Sequence, residues 1–485
     1  MSLRVKAVAS VKWMGLSMIV VASVQFITMA IMARLLLPSD FGLMGMILVV
    51  LGFSRLFADM GISHAIIYRQ DTTSKQLSSL YWLNIFSGLG VFVIVCLSSP
   101  LIALFYHEPR LTKLILISAT IFLITPFGQQ FQILFQKELQ FNRLAKIEIM
   151  AAIFNSTTSI TLATLGYGVL SLIFGQLIGA LVKVIILFNL CLPKWAPSFH
   201  FARGDLKGYV SFGLYQMGEK SINYLNTNFD YLLIGSLLGA EKLGYYTMAY
   251  SLVLRPLKMI NPIINKVAFP VFSKVQNRDE SLKRGYLKVI QLLSFFNFPI
   301  MFGFAAVAPV AVPLILGIRW NPSIILIQIL CIVGLLRSVG NPVGSLLLAK
   351  GRADLGFKWN LGLACTQIPG LYAGVKLKGV VGVAVAFAFL QIIYSVFNYT
   401  ILIRKLLGPC LKEYFSSLWP AFWISAMMGA SIFFIGALLS ISNGYVIFFA
   451  QLISAFIIYF GLSLYLRKSF LFELKSLALS PLGPK

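Results

Sequence analysis

This sequence is short of charge, and of acidic charge above all. Only 11% of its 485 residues are Asp, Glu, Lys or Arg, and Asp and Glu together number 15. A soluble domain carries roughly a quarter charged residues, and a folded surface needs polar side chains to cover it. One large water-soluble core is therefore excluded. Histidine is nearly absent: His64, His107 and His200 are scattered and build no catalytic or metal constellation. The cysteines Cys96, Cys191, Cys331, Cys365 and Cys410 lie in or beside apolar runs, with no C-x-x-C and no Cys/His grouping. Neither a disulfide framework nor a metal site follows, and no cofactor is expected.

What fills the chain instead is apolar: 59% of it is hydrophobic, with a mean hydropathy of +0.87. The bilayer must be the solvent for most of it. Apolar runs of about 20 residues bounded by charges or turn residues fall at approximately 11–34, 41–67, 79–99, 112–136, 146–165, 168–190, 208–238 and 242–274. Six more fall at approximately 285–308, 323–348, 355–375, 379–403, 415–440 and 445–466. The expected fold is an all-α polytopic membrane protein of about fourteen transmembrane helices. Arg4, Lys6 and Lys12 precede an apolar run that is too long for a signal peptide and lacks a small-residue cleavage site, so it reads as the first membrane helix.

The net charge of +25 would suggest nucleic acid in a soluble protein. Here the loops explain it, because they alternate in charge along the chain. About 26 basic residues fall on one side and about 7 on the other, which puts both termini in the cytoplasm. No nucleic-acid partner is expected.

The turns between spans repeat. Leu37-Pro38-Ser39-Asp40-Phe41-Gly42-Leu43 joins the first two runs, and Gly239-Ala240-Glu241-Lys242-Leu243-Gly244-Tyr245 joins the seventh and eighth. An offset of six spans relates two lobes of the same orientation by a pseudo-twofold along the membrane normal. The expected division is a six-helix lobe over 1–192, a linker over 193–207, a second six-helix lobe over 208–410, and two trailing helices with a tail over 411–485.

An ordered set of short motifs accompanies this plan. In the first lobe they are Met1-Ser2-Leu3-Arg4 with Lys12-Trp13, Ala33-Arg34, Asp40-Phe41-Gly42-Leu43 and Asp59-Met60-Gly61-Ile62. Leu80-Tyr81-Trp82-Leu83-Asn84 and Gln129-Gln130-Phe131 with Gln136-Lys137-Glu138-Leu139 follow. The second lobe adds Ile222-Asn223-Tyr224-Leu225-Asn226-Thr227-Asn228, Asn261-Pro262-Ile263-Ile264, Phe269-Pro270 and Leu336-Arg337-Ser338-Val339-Gly340-Asn341-Pro342. With them the chain resembles Wzx-type polysaccharide flippases, of the O-antigen and colanic-acid exporter kind, within the multidrug/oligosaccharidyl-lipid/polysaccharide exporter superfamily. The similarity runs nearly the whole length and weakens after about Trp419. It implies a bacterial inner-membrane transporter, not an enzyme. The implied substrate is an undecaprenyl-pyrophosphate-linked oligosaccharide, moved from the cytoplasmic to the periplasmic leaflet by alternating access for capsule, exopolysaccharide or O-antigen assembly. Membrane lipids, a polysaccharide polymerase and a chain-length regulator are the implied partners.

Ionisable residues inside spans are the informative ones, because each costs a few kcal/mol at mid-bilayer unless paired or hydrated. Arg55, Lys220, Arg255, Lys258, Lys266 and Arg337 outnumber the acids Asp59, Glu219 and Asp230. Such an excess calls for water or an anionic ligand, and a pyrophosphate suits arginine forks and lysine point charges. These six cations are the candidate substrate-binding residues, and the three acids are candidates for ion coupling. Internal ion pairs, such as Asp59 with Arg55, are the alternative for any one of them. Glu148 and Lys183 lie near span ends, where snorkelling accounts for them. Gln129, Gln130, Asn223 and Asn226 are candidates for a sugar path, with Gln132, Gln136 and Asn155 beside them; interhelical hydrogen bonding is the competing explanation. A multidrug or small-solute antiporter of the same superfamily is the alternative function, and it would favour acidic rather than basic cavity groups.

Overall fold

The computed structural model describes residues 3–60, 66, 72–193, 195–206, 209–439 and 443–466. Side chains are described from Trp13 onward, apart from those of 210–216, 219, 263, 266–267 and 353. The side chains of Glu219 and Lys266, and the motif residues Gly61-Ile62, lie outside the described residues. Among the described residues all regular structure is helical, as a bilayer demands of backbone groups that must find their hydrogen bonds within the segment. Of these stretches, 10 are long and apolar enough to cross a membrane. Phe141–Thr164 and Tyr209–Lys274 are helical without meeting that measure of apolarity.

The chain forms two compact units, Met1–Thr247 and Met248–Lys485. In the first, helices Leu3–Leu35, Pro38–Asp59, Ser74–Phe105, Arg110–Ala119, Ile121–Lys137, Phe141–Thr164 and Val169–Cys191 precede the long helix Tyr209–Lys274. Ser74–Phe105 starts at a capping box: Thr73 accepts from the Gln76 amide at 3.3 Å, and Gln76 accepts from the Thr73 amide at 3.0 Å. Phe141–Thr164 and Val169–Cys191 pack closely because Gly175 and Gly179, one turn apart, face Ser159 and Asn155.

The long helix reverses at Gly239, whose φ of 80° is left-handed territory that glycine enters without steric cost. The two arms touch beside the reversal, where the Tyr231 and Tyr246 rings lie 5.8 Å apart. Tyr246 Oη donates to the buried Asp230 carboxylate at 2.7 Å. The two repeated turns meet here. A Cβ on Gly42 would overlap the Ala240 carbonyl, and one on Gly244 would overlap the Pro38 carbonyl. The contact is reciprocal, as a pseudo-twofold between the turns requires.

The segment 195–206 is strapped to the start of Ser74–Phe105. Asp205 accepts from Ser79 Oγ at 2.7 Å and lies 3.0 Å from His200 Nε2. Trp82 Nε1 donates to the Ser198 carbonyl at 2.8 Å.

The second unit contains helices Asp279–Ala311, Pro322–Gly340, Val343–Ala349, Ala353–Phe397, Leu411–Leu438 and Gly444–Leu466. Its core gathers Phe272, Tyr286, Phe298, Leu346 and Leu402, all at most 2% exposed. Ala353–Phe397 is two antiparallel arms reversing at Lys378-Gly379, where Gly379 has φ 56°. Thr366 Oγ1 and Tyr394 Oη meet across the arms at 2.8 Å, and Gly374 packs on Gly382.

Candidate functional site

A cavity of about 780 Å³ lies within the first unit. Helix Pro38–Asp59 presents Arg55 and Asp59 to it, one turn apart on one face. Ile121–Lys137 presents Gln129, Gln132 and Gln136, whose i, i+3, i+7 spacing makes a single stripe. Asn155 comes from Phe141–Thr164, Gln176 and Lys183 from Val169–Cys191, Gln25 from Leu3–Leu35, and Met217 and Lys220 from the first arm of Tyr209–Lys274.

Arg55, Lys183 and Lys220 are the cations of this wall, and Asp59 is the one carboxylate among its described residues. Asp59 accepts a hydrogen bond from the Gln129 amide. Among the described residues, no carboxylate lies within ion-pair distance of Arg55, Lys183 or Lys220. The internal pairing of Arg55 with Asp59 that the i, i+4 spacing permits is therefore not formed. Tyr224 fixes the neighbouring stretch by donating to the Leu48 and Val49 carbonyls, both at 3.2 Å, with its hydroxyl over Gly52. The result is a polar, cation-rich, amide-lined chamber among apolar helices.

The residues expected from sequence separate into three groups. Arg55, Lys220, Asp59 and Gln129 come together in this cavity. Gln130 points the other way: it is buried, and its amide donates to the Leu77 carbonyl at 2.7 Å, so it joins helices instead of lining a path. Asn223 is exposed and Asn226 half-buried, and neither lines the cavity. Asp230 is fully buried against Tyr246.

Arg255, Lys258 and Arg337 belong to the second unit. Arg255 is half-buried with Nη1 enclosed and without a hydrogen-bond partner among the described residues, whereas Lys258 is exposed. Arg337 lines a smaller pocket with aromatic and amide neighbours. Lys183 is the cavity residue that span-end reasoning set aside. The available signal was its spacing of seven from Gln176, which places both on one helix face.

Three comparisons bear on this architecture. A family model described as "Polysaccharide biosynthesis protein" matches residues 31–325. The Escherichia coli K12 "Lipopolysaccharide biosynthesis protein WzxC" is 36% identical over 88% of this chain and 86% of its own length. The Bacillus subtilis 168 "Teichuronic acid biosynthesis protein TuaB" is 35% identical, covering 89% of each. Among solved structures, the lipid II flippase MurJ in an inward closed conformation superposes with a TM-score of 0.74 at 14% identity, over 93% of this chain and 100% of that one. An inward-facing multidrug-resistance transporter of the MATE family gives 0.62 at 16% identity, over 80% and 98%. These two likenesses establish a shared fold.

Proposed function

Because the chain belongs to the polysaccharide biosynthesis protein family, we propose that it is a flippase for an undecaprenyl-pyrophosphate-linked oligosaccharide. It collects the repeat unit at the cytoplasmic leaflet and releases it at the periplasmic one by alternating access. It is a multi-pass membrane transporter, not an enzyme. The names of its relatives, which concern lipopolysaccharide and teichuronic acid biosynthesis, and the lipid II flippase that shares its fold support this class of cargo.

One observation carries the reading: a chamber among apolar helices gathers Arg55, Lys183 and Lys220 against one lining carboxylate, Asp59, with Glu148 near Lys183 and none of the three cations in an ion pair among the described residues. An excess of cations among membrane-spanning helices needs water or an anion. A pyrophosphate provides several oxygens for guanidinium forks and ammonium points, and the glutamine stripe offers amides to sugar hydroxyls. A cation-exporting antiporter would be served by the opposite charge. Asp59, held at the cavity wall by Gln129, is the acid best placed to couple turnover to an ion; Asp230 and Glu219 complete the candidate set. Arg255, Lys258, Lys266 and Arg337 are the candidates of the second unit.

The reading also takes the fold as fourteen passes, in repeat lobes 1–192 and 208–410 with trailing helices over 411–485, joined by the linker 193–207. Both termini face the cytoplasm, and a polymerase and chain-length regulator receive the product. The test is binding by purified, reconstituted protein. Undecaprenyl pyrophosphate carrying a truncated glycan should bind, and the neutral free oligosaccharide should bind far more weakly, since sugar hydroxyls gain little on exchanging water for protein. Replacing Arg55 and Lys220 together by Gln should abolish the difference; equal affinity for both ligands in the unaltered protein would refute the proposal.

A further inference from the structure

The second unit has its own chamber, of about 290 Å³. It lies where helix Pro322–Gly340 breaks at Asn341-Pro342, inside the Leu336–Pro342 motif. Its charged group is Arg337. The guanidinium lies over the Phe387 ring at 4.6 Å from the centroid, Nε donates to Gln391 Oε1 at 3.3 Å, and Nη1 donates to Tyr250 Oη at 3.4 Å. All three partners are neutral, so they orient the arginine without neutralising it. Among the described residues no carboxylate lies within ion-pair distance of it. Arginine keeps its charge in any protein environment and has five N–H donors, and the bonds here use two.

The same pocket is lined by Trp359 and Tyr394, edge to face with centroids 6.5 Å apart. Gln367, only 5% exposed, adds an amide. Asn398 adds another: it opens the π-helical turn Asn398–Ile403, and its Oδ1 is buried without a hydrogen-bond partner among the described residues. A π-turn places an extra residue in a helix and is frequently found at functional sites. An orphaned buried oxygen marks a place where a donor is wanted.

We propose that this pocket binds one carboxylate-bearing sugar residue, so that it selects oligosaccharides containing an acidic sugar. The chemistry is matched group by group. One guanidinium pairs with one carboxylate, whereas a pyrophosphate calls for several cations and, among the described residues, no second cation lines this wall. Indole and phenol faces cover the apolar faces of a pyranose ring. The amides of Gln367 and Asn398 take hydroxyls, the Asn398 oxygen accepting. The size, at the lower end of the ~300–1,000 Å³ typical of ligand pockets, fits one ring and not a lipid-linked chain. The proposal deepens the flippase reading and rests on it for the identity of the cargo as a glycan.

The test uses the full chain in phosphatidylcholine nanodiscs, with two phosphate-free probes: a disaccharide containing glucuronate, and the same disaccharide containing glucose. The acidic probe should bind at least tenfold more tightly. Arg337→Gln should remove that preference, Arg337→Lys should keep part of it, and Trp359→Ala should weaken both probes. Arg55→Gln with Lys220→Gln should leave the preference intact while abolishing binding of the pyrophosphate lipid. If that double variant still binds the pyrophosphate lipid, the reading of the first cavity fails, and the Arg337 comparison still decides this pocket. No preference in the unaltered protein, or a preference that survives Arg337→Gln, overturns the proposal. So does loss of the acidic probe's binding when phosphatidylglycerol replaces phosphatidylcholine, which would identify a lipid headgroup as the occupant.

Discussion

Lys183 and Arg55 approach one chamber from different helices; the Glu148 carboxylate acts on Lys183 from beyond ion-pair distance, and neither cation is held in an ion pair among the described residues. Removing either should therefore weaken an anionic ligand without breaking an ion pair. Lys183→Ala should lower affinity for the pyrophosphate lipid by about 1.5–3 kcal/mol, the scale of a charge-assisted hydrogen bond, which is tenfold or more in a binding titration. Unchanged affinity would return Lys183 to the role of an interfacial anchor. Neighbouring glutamines should part company in the same assay. Gln129→Ala should impair binding, whereas Gln130→Ala should leave binding alone and cost about 1 kcal/mol of stability, the net worth of the interhelical bond it donates to the Leu77 carbonyl. Outside the membrane, Asp205 carries a pH dependence. Its bond from Ser79, assisted by His200 and opposed by desolvation, holds its carboxyl below the ordinary range. A lowered folded-state value means the ionised form is the stabilising one. The strap is therefore tight at neutral pH and loosens as pH falls below about 4. The protection factor of the Ala202 amide, which donates to Ser79 Oγ at 3.1 Å, should fall over that range. His200→Ala, which removes the carboxylate's other support and leaves the Ser79 acceptor in place, should move the transition to higher pH, and a pH-independent protection factor would contradict the assignment.

Helices explain why part of this site could be read in advance. Arg55 with Asp59, and Gln129 with Gln132 and Gln136, recur at helical spacing, so one local rule puts each set on one face. The same rule turns Gln130 away by about 100°, and the structure buries it. Span-end reasoning missed Lys183 because it scores distance to the bilayer surface and ignores which face meets a chamber. The reversal at Gly239 was legible from the repeated turns, but their mutual packing was not, since contact between segments far apart in sequence leaves no local pattern. That packing has a consequence for stability. Gly42→Val or Gly244→Val would drive a side chain into the opposing carbonyl, and overpacking of this kind costs about 1–3 kcal/mol. Each variant should melt earlier in detergent than the unaltered protein. Gly90→Val, at a helix position with nothing within 4 Å of a Cβ, should melt with it. Equal melting of all three variants would mean that the turns yield freely.

Orientation is a property of the whole chain, and the second unit supplies a structural argument for the one its loop charges imply. Lys350 Nζ pairs with Asp279 at 2.7 Å, and Lys283 Nζ pairs with Glu413 at 3.1 Å. Three basic loops, near 279–283, 350–352 and 404–413, therefore gather at one end of the unit. Between the first and second lie Asp279–Ala311 and Pro322–Gly340, and between the second and third lie the two arms that reverse at Lys378-Gly379. Each interval is an even number of passes, which is what loops on one side of a membrane require. With the excess of Lys and Arg in these loops, the proposed orientation puts that end in the cytoplasm. In a variant lacking the five native cysteines, a cysteine at Lys283 or Arg352 should be protected from a membrane-impermeant thiol reagent in intact cells and labelled after permeabilisation. A cysteine at Leu377, 80% exposed beside the reversal, should be labelled in intact cells. Labelling at Arg352 together with protection at Leu377 would invert the unit, and with it the direction in which the flippase collects its cargo. Labelling at only one of Lys283 and Arg352 would break the even count between them, so the ion pairs and the topology would be wrong together.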